Sequence, residues 1–260
     1  MKLIRRLSAR LDNLFLRGFL KTFYRSYFVP KNWAKSLSLL PNWNSFEIAY
    51  SNNSRPHLNA ICQKYSTDKG SLSPRRNDHA YADYYDSIFF RSRDKVLNVM
   101  EIGIGSNNSD VKGFMGVDAI PGASLRVWRE YFPNATIYGA DIDSRILFEE
   151  ERIKTFYVDQ TDGESIKKLW NEIQIGGPIE FDLIVDDGLH TLEAALTFLK
   201  ESLGKLSVGG TYIVEDLEFH DIVKIENLVN QNQFQVQYVK FSSSERGLIN
   251  GSLVSITKSL

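Results

Sequence analysis

The stretch FDLIVDDGLH, residues 181–190, ends an apolar run with two adjacent carboxylates and a histidine. Asp186 and Asp187 follow the apolar residues directly, and His190 comes three positions after Asp187. Carboxylates bind hard divalent cations, and an imidazole can accept a proton as a general base. The spacing predicts a strand end that presents Asp187, followed by a turn that can bring His190 back over the same cleft.

Polar or glycine residues also close four other apolar runs of the chain. They are Glu101, Gly103 and Gly105, then Asp141 and Asp143, then Asp159 and Gln160, and finally Glu215 and Asp216. Because ligands bind beyond the carboxyl ends of parallel strands, these residues predict a polar cleft along one edge of a sheet.

Three of the carboxylates, Asp187, Glu215 and Asp216, close two of these apolar runs, and neighbouring strands of a sheet lie about 4.8 Å apart, close enough for such carboxylates to converge. Converging carboxylates repel one another, and a hard cation with oxygen ligands would relieve that repulsion. The structural alternative is that one or two of these acids only cap the helices that follow.

The elements that must position these residues begin near residue 96, where strand-like apolar runs alternate with helical patterns. This alternation predicts an α/β fold, with a mainly parallel sheet and helices on its faces. Residues 234–241 and 251–258 follow as two strand patterns with no helix between them, and they predict a terminal antiparallel hairpin.

The segment GIGSNN, after the first of these strands, is only half of a dinucleotide fingerprint. Its third glycine position is Asn108 and the next helix begins near Gly122, so the loop is too long for a pyrophosphate turn. A ligand without phosphates, whose ribose hydroxyls bond Asp141, suits an acidic cleft better.

Composition narrows the class of protein. The 260 residues are 43% hydrophobic and 24% charged, which is typical of a soluble globular protein with one sizeable core. A net charge of −1 gives no overall attraction to nucleic acid, so a small-molecule or glycan partner is expected. The single cysteine, Cys62, allows no internal disulfide and no CxxC pair, and it favours a cytoplasmic location.

Residues 1–60 are predicted to be a helical accessory segment, separate from a main domain at 61–260. The first part shows apolar residues at helical spacing with basic residues mostly around the other side, which indicates an amphipathic helix. The helix is expected to pack on the domain or on a second copy of the chain, as in a homo-oligomer. Peripheral contact with a membrane surface is the alternative.

Several motifs in order resemble the class I S-adenosylmethionine-dependent methyltransferases. They are MEIGIG, GASLRVWREYFPNATIYGADID, RIKTFYVDQTD, FDLIVDDGLH and GGTYIVEDL, preceded by YSTDKGS and HAYADYYDSIF. Within that class the chain is similar, over roughly residues 65–217, to the metal-dependent sugar O-methyltransferases of macrolide tailoring and bacterial surface-glycan clusters. The loop SNNSDVKGFMGVDAIP is longer and less glycine-rich than the usual turn of that family.

The resemblance implies a Rossmann-like fold with a mainly parallel seven-stranded sheet. It also implies roles by motif position for the residues at the strand ends. Glu101, Gly103 and Gly105 would line the methionine part of S-adenosylmethionine, Asp141 would hold the ribose, Asp159 and Gln160 would flank the adenine, and Asp186 would face the cofactor. Asp187, Glu215 and Asp216 would hold Mg²⁺ or another divalent cation, and His190 would be the base. Lys69, His79 and Tyr81 are predicted to contact the substrate.

The function that follows is Mg²⁺-dependent methylation of a sugar hydroxyl, in a glycan, a glycoside or a nucleotide-linked sugar of antibiotic or capsular polysaccharide biosynthesis. One alternative is a metal-independent methyltransferase that acts on a phosphoramidate, an amine or a phenol. The other is a catalytically idle Rossmann-like scaffold. Activity in EDTA would favour the first alternative, and failure to bind S-adenosylmethionine would favour the second.

Overall fold

The computed structural model describes residues 46–49, 57–70, 80–216, 224–225, 228–229, 232–242 and 252–259. The predicted amphipathic helix near the N-terminus and His79 lie outside the described residues. None of the helices in these ranges is long and apolar enough to cross a membrane.

The described strands form one sheet, in the order β1-β8-β9-β7-β6-β2-β3-β5-β4. The strands are β1 (Phe46–Ala49), β2 (Asn98–Ile102), β3 (Thr136–Asp141), β4 (Glu149–Glu150), β5 (Ile153–Tyr157), β6 (Phe181–Asp186), β7 (Leu206–Glu215), β8 (Phe234–Ser242) and β9 (Ser252–Lys258). Strands β5, β3, β2, β6 and β7 run parallel to one another, and β9 pairs antiparallel with both β7 and β8. The predicted parallel sheet and its terminal antiparallel hairpin are therefore confirmed.

Two additions extend the predicted seven-stranded sheet at its edges. Strand β1 pairs parallel with β8, and the two-residue strand β4 pairs antiparallel with β5. Strand β1 belongs to the segment that the sequence assigns to an accessory region, and the boundary drawn after residue 60 falls inside the first described helix, His57–Tyr65.

Helices cover both faces of the sheet. They are α1 (His57–Tyr65), α2 (Tyr81–Phe89), α3 (Ala123–Tyr131), α4 (Gly163–Ile173) and α5 (Leu192–Ser202). Val99 of β2 joins the hydrophobic cluster under α1, α2 and α3, whereas its neighbour Met100 joins the cluster under α4 and α5. Successive strand residues point to opposite faces, and both faces are buried, so the central strands are continuously apolar.

The helices begin where the sequence supplies capping side chains. The Asp162 carboxylate accepts a hydrogen bond from the backbone N–H of Glu164 at the start of α4, and the Thr191 hydroxyl accepts one from Ala194 in α5. Helix α3 begins at Ala123, directly after Gly122, as predicted from the sequence. Because the long loop before α3 follows the last residue of β2, it lies at the carboxyl edge of the sheet.

Helices α1 and α2 matter most for the site, because the loop between them reaches the carboxyl ends of β6 and β7. The ring of Tyr85 in α2 packs edge-on against Trp128 of α3, with 4.9 Å between the ring centroids. The backbone N–H of Ala82 donates to the carbonyl of Lys69 over 2.9 Å. These contacts hold residues 66–70 against the strand ends.

Candidate active site

A cavity of about 950 Å³ opens at the carboxyl ends of the central strands. Most of the predicted site residues line it: Lys69, Tyr81, Gly103, Gly105, Asp141, Asp159, Gln160, Asp187, His190, Glu215 and Asp216. Its volume lies in the range of sites that enclose a small organic ligand. The parallel sheet thus brings together residues that lie far apart in the sequence.

Two glycines allow the ends of β2, β5 and β6 to approach closely. Gly103 has a φ of +83°, and a Cβ atom there would lie 2.1 Å from the carbonyl oxygen of Asp187. A Cβ atom on Gly188 would lie 2.1 Å from the Gln160 side-chain oxygen. A larger residue at position 103 would push the ends of β2 and β6 apart, whereas one at position 188 would displace the Gln160 side chain.

Asp141, the predicted ribose ligand, is held by the backbone at the end of β3. Its Oδ2 accepts from the N–H of Ile104 over 2.9 Å, and its Oδ1 accepts from the N–H of Asp143 over 2.9 Å. Burial raises the pKa of Asp141, and these backbone hydrogen bonds oppose that effect. Each carboxylate oxygen can accept a further hydrogen bond, so the geometry allows ribose binding.

Asp143, the second acid after β3, anchors the long loop that follows β2. Its Oδ2 accepts from the Ser106 hydroxyl over 2.6 Å and from the Asn108 amide over 2.7 Å. The guanidinium of Arg145, which donates to Oδ1 over 2.6 Å, holds the pKa of Asp143 well below its usual range. Sequence reasoning missed Arg145, although its position two residues after an acid at a turn is compatible with this contact.

Asp159 and Gln160, which are predicted to flank the adenine, differ in exposure. Asp159 is half-buried, and its Oδ1 accepts from both the backbone N–H and the hydroxyl of Thr161. Gln160 donates from its amide to Asp186 over 2.6 Å and accepts from the N–H of Leu189 over 2.9 Å. Gln160 therefore ties the end of β5 to the loop after β6.

Glu101 and Asp186 are buried beneath the residues that line the cavity, and their predicted contacts with the cofactor stay predictions. Glu101 is 0% exposed and its Oε2 accepts from the Trp128 indole over 2.8 Å. Asp186 is 3% exposed, and burial raises its pKa to about 6. In the structure both carboxylates bond to neighbouring side chains, Glu101 to Trp128 and Asp186 to Gln160.

Lys69 lies at the centre of the acidic residues, with 2% of its surface exposed. Its ammonium donates to Asp187 Oδ2 over 2.7 Å and to Glu215 Oε2 over 2.6 Å. It also lies 3.2 Å from Glu101 Oε1, a buried oxygen that has no hydrogen-bond partner among the described residues. Burial lowers the pKa of Lys69, but the surrounding carboxylates outweigh it and raise that pKa well above the usual value. The predicted substrate contact of Lys69 stays a prediction, and the structure gives it an ion-pairing role.

Two tyrosines of α2, one helical turn apart, hold the two acids at the end of β7. The hydroxyl of Tyr85 donates to Glu215 Oε1 over 2.6 Å, and the hydroxyl of Tyr81 donates to Asp216 Oδ1 over 2.6 Å. Burial and the neighbouring acids raise the pKa of both phenols well above the usual value, so both remain neutral donors. The i, i+4 spacing in YADYYDSIF is the signal that could have revealed this pair.

Asp187, His190 and Asp216 form a group able to bind a metal ion, with one ligand atom from each within 4.8 Å of the others. The predicted set contained Glu215 in place of His190. Two carboxylates and an imidazole suit a divalent cation such as Mn²⁺, and Mg²⁺ would rely mainly on the two carboxylates and water. The donor set therefore fits a divalent cation.

His190, the predicted base, has a φ of +53°, and its Nε2 lies 3.1 Å from Asp187 Oδ1. Burial lowers the pKa of His190, but the hydrogen bond and charge of Asp187 outweigh it and raise the pKa to about 9. The turn GLH thus brings the imidazole back over the strand end, as the spacing predicts.

No protein-family model matches the chain. The chain is similar to curated O-methyltransferases of antibiotic biosynthesis. It is 32% identical over 163 residues to the 8-demethyl-8-alpha-L-rhamnosyl tetracenomycin-C 2'-O-methyltransferase of Streptomyces olivaceus. The aligned region covers 63% of the chain and 38% of that protein. It is 34% identical over 171 residues to the demethylmacrocin O-methyltransferase of Streptomyces fradiae. Here the aligned region covers 65% of the chain and 38% of that protein. The chain thus spans less than two fifths of the length of these relatives.

The fold also matches solved structures of the MycE methyltransferase from the mycinamycin biosynthetic pathway. One of them, in complex with Mg, SAH and mycinamycin VI, has a TM-score of 0.56 and 24% sequence identity, with 79% of the chain and 55% of that protein covered. Another, in complex with Mg and SAH, has a TM-score of 0.55. The predicted Rossmann-like methyltransferase fold and the predicted relationship to antibiotic sugar O-methyltransferases are confirmed.

Proposed function

We propose that the chain transfers a methyl group from S-adenosylmethionine to a hydroxyl group of a sugar, with the help of a divalent cation. The observation that carries the proposal is one cavity that holds Asp141 on one side and the group Asp187, His190 and Asp216 on the other. The similarity to enzymes that methylate sugars of antibiotics supports the same reaction.

The cofactor and the cation have separate places in this proposal. When bound, S-adenosylmethionine supplies an electrophilic methyl group, and a divalent cation supplies Lewis-acid stabilisation of the acceptor oxygen. Asp141 would accept hydrogen bonds from the ribose, and the backbone around Gly103 and Gly105 would line the methionine part. Asp159 and Gln160 would flank the adenine.

At the acceptor side, this chain's residues orient the hydroxyl and remove its proton. Asp187 and Asp216 would hold the cation, and His190 would accept the acceptor proton on a ring nitrogen. Asp187 orients the imidazole through the 3.1 Å contact to Nε2. His190 can act as a base only as the neutral imidazole. A cation bound to Asp187 would favour that form, because its charge would lower the pKa of His190.

The acceptor is proposed as a sugar of a glycan, a glycoside or a nucleotide-linked precursor, in antibiotic or capsular polysaccharide biosynthesis. The MycE structure with mycinamycin VI supports a glycoside. A homo-oligomer, and contact of the N-terminal helix with a membrane, remain predictions from the sequence.

One observation favours a second candidate, a methyltransferase that needs no metal. Lys69 already compensates three carboxylates at the strand ends, so their repulsion alone does not require a divalent cation. Such an enzyme would act on another small acceptor, for example a phosphoramidate, an amine or a phenol.

Methyl transfer from labelled S-adenosylmethionine to a panel of glycosides, amines and phenols distinguishes these functions. We expect labelled glycoside in the presence of Mg²⁺ or Mn²⁺ and its loss in excess EDTA. Labelled amine or phenol that persists in EDTA would establish the second candidate. A chain that does not bind S-adenosylmethionine in isothermal titration calorimetry would be the idle scaffold, and the proposal would be wrong.

A further inference from the structure

The turn that carries His190 is held through its backbone N–H groups. The N–H of Asp187 donates to the carbonyl of Ile102 in β2 over 3.0 Å. The N–H of Leu189, one residue before His190, donates to the side-chain oxygen of Gln160 over 2.9 Å. The first contact is a backbone contact to the sheet, whereas the second depends on one side chain from the loop after β5. The place of His190 therefore depends on where the Gln160 amide is held.

A buried group of side chains holds the Gln160 amide. Its nitrogen donates to Asp186 Oδ1 over 2.6 Å, and the hydroxyl of Tyr212 in β7 donates to Asp186 Oδ2 over 3.3 Å. Asp186 Oδ1 also accepts from the N–H of Gly188 in the turn over 3.3 Å. Gln160 is 7% exposed, Asp186 3% and Tyr212 0%. Because a buried network of bonded polar groups is rigid, the amide has one fixed orientation.

We propose that Gln160 is a positioning residue, which sets the turn after β6 so that the His190 imidazole reaches the acceptor hydroxyl. This inference rests on the proposed function, because it concerns the base of that reaction. Gln160 acts through the N–H of Leu189, and Asp186 holds the Gln160 amide in place. The role is separate from the adenine contact that the motifs imply for Gln160, because it uses the amide oxygen on the protein's own backbone.

The backbone of the turn explains why such support is needed. His190 has a φ of +53°, in the left-handed region, where a residue other than glycine stays only if its surroundings fix it. Its Nε2 lies 3.1 Å from Asp187 Oδ1, so a small movement of the turn changes this contact. A Cβ atom on Gly188 would lie 2.1 Å from the Gln160 oxygen, so the amide packs directly against the turn. Misplacement of a reacting group by about 1 Å can cost about 10²-fold in rate, and the Gln160 contact acts on the residue next to the base.

The first test compares Gln160→Met with Gln174→Met. Methionine is similar in size to glutamine but cannot replace its hydrogen bonds. Gln174 is a matched control, because its amide also joins two segments, the Ile179 carbonyl and the Lys205 ammonium, at the amino ends of β6 and β7. We expect Gln160→Met to lower kcat by about 10- to 100-fold through misplacement of the base, and Gln174→Met to leave kcat unchanged.

Isothermal titration calorimetry with S-adenosylmethionine separates this role from an adenine contact. We expect Gln160→Met to change the cofactor affinity by less than about twofold, the least that a lost hydrogen bond to the cofactor would cost. If the affinity falls by more while kcat at saturating substrate is unchanged, Gln160 is a cofactor contact and the inference is wrong.

A double-mutant cycle with His190→Ala tests whether Gln160 acts through the base. In the His190→Ala background there is no imidazole left to position, so Gln160→Met should lower kcat further by less than about twofold. Two residues that act independently would instead give the full additional loss. A further loss of about tenfold or more in that background would overturn the inference.

Hydrogen exchange at the Leu189 N–H, followed by nuclear magnetic resonance, tests the contact without turnover. We expect exchange in Gln160→Met to be faster than in the wild-type protein by roughly two- to tenfold, the equivalent of one lost hydrogen bond. An unchanged exchange rate would mean that Gln160 does not hold the turn.

A reciprocal exchange covers the case in which Gln160→Met does not fold. Gln160→Glu alone places two carboxylates side by side and should lower kcat, whereas the addition of Asp186→Asn restores an amide–carboxylate pair and should recover most of the loss. No recovery in the double variant would overturn the inference. A wild-type protein that transfers no methyl group would refute the proposed function and this inference together. Normal kcat in Gln160→Met beside an active wild-type protein would refute this inference alone.

Discussion

The two sides of the cavity hold their acidic residues by different means. On the cofactor side, Asp141 accepts from the backbone N–H of Asp143, two residues away, and of Ile104 in the loop after the neighbouring strand. On the acceptor side, Asp187 and Glu215 share the ammonium of Lys69, which is 118 and 146 residues away in the sequence. Charge on the first side is stabilised by backbone dipoles, and on the second side by a buried side chain.

The difference indicates which parts of the site tolerate change. Backbone donors are fixed by the sheet, so a substitution on the cofactor side removes one hydrogen bond and leaves the others in place. On the acceptor side the Lys69 ammonium is the buried counter-charge of Glu101, Asp187 and Glu215, and its loss would leave buried charge uncompensated. The following predictions test this contrast, from the largest expected effect to the smallest.

The largest effect is expected at His190, on the acceptor side. His190→Ala should lower turnover by roughly 10²- to 10⁴-fold, because a positioned base is lost, and S-adenosylmethionine binding should persist. Steady-state kinetics with saturating substrate measure the change, and mildly alkaline pH should restore part of it. His57→Ala, which removes an exposed histidine of α1, is the matched control.

If His190→Ala turned over at the wild-type rate, the base assignment would be wrong and the role of His190 would be structural. If His190 is a metal ligand, its loss will weaken Mn²⁺ binding as well.

Lys69→Met should have the largest effect on folding. Because the substitution leaves buried carboxylates without a counter-charge, we expect the free energy of unfolding to fall by about 3–5 kcal/mol. Urea denaturation followed by circular dichroism measures it. Lys167→Met is the control, since it breaks an exposed ion pair with Glu164 and should change stability little. Equal stability of Lys69→Met and the wild-type protein would mean that the acceptor side is not held by this ammonium.

On the cofactor side, Asp141→Ala should weaken S-adenosylmethionine binding by about 1–3 kcal/mol, through lost hydrogen bonds to the ribose. Isothermal titration calorimetry on the folded variant measures the affinity. Asp182→Ala, at the opposite end of the sheet, is a control, because Asp182 accepts from the backbone N–H of Leu97 away from the cavity. Unchanged affinity in Asp141→Ala would show that the cofactor does not bind through this carboxylate.

The smallest effect is expected at Ser106, which donates to Asp143 over 2.6 Å. Ser106→Ala should weaken S-adenosylmethionine binding by about 0.5–1.5 kcal/mol at most, because Asn108 and Arg145 still hold Asp143. The same titration measures it. A loss of S-adenosylmethionine affinity larger than that of Asp141→Ala would contradict the interpretation that several side chains share the hydrogen bonds to Asp143.

The same contrast explains how far the sequence could predict the molecule. The apolar strands, the capping residues of α4 and α5, and the acids at the strand ends follow local patterns, and so the sheet and the lining residues were predictable. The turn that returns His190 to Asp187 was also local. The burial of Glu101 and Asp186 was not, because it depends on which face of the sheet each residue occupies and on the helices that cover that face.

Lys69 was the main residue whose role the sequence could not give. The sequence predicts that Lys69, like Tyr81, contacts the substrate, and no local pattern pairs it with the carboxylates. Only the folded chain brings the α1–α2 loop to the ends of β6 and β7, where the ammonium meets three carboxylates. Pairings over such sequence distances are set by tertiary packing.

A crystal structure of the protein with S-adenosylhomocysteine and Mn²⁺ would test the account most directly, with the metal located by its anomalous signal. The account predicts the ribose hydroxyls on Asp141, and Mn²⁺ on Asp187 and Asp216. Mn²⁺ bound away from these carboxylates, or a cofactor that does not occupy the cavity, would contradict it.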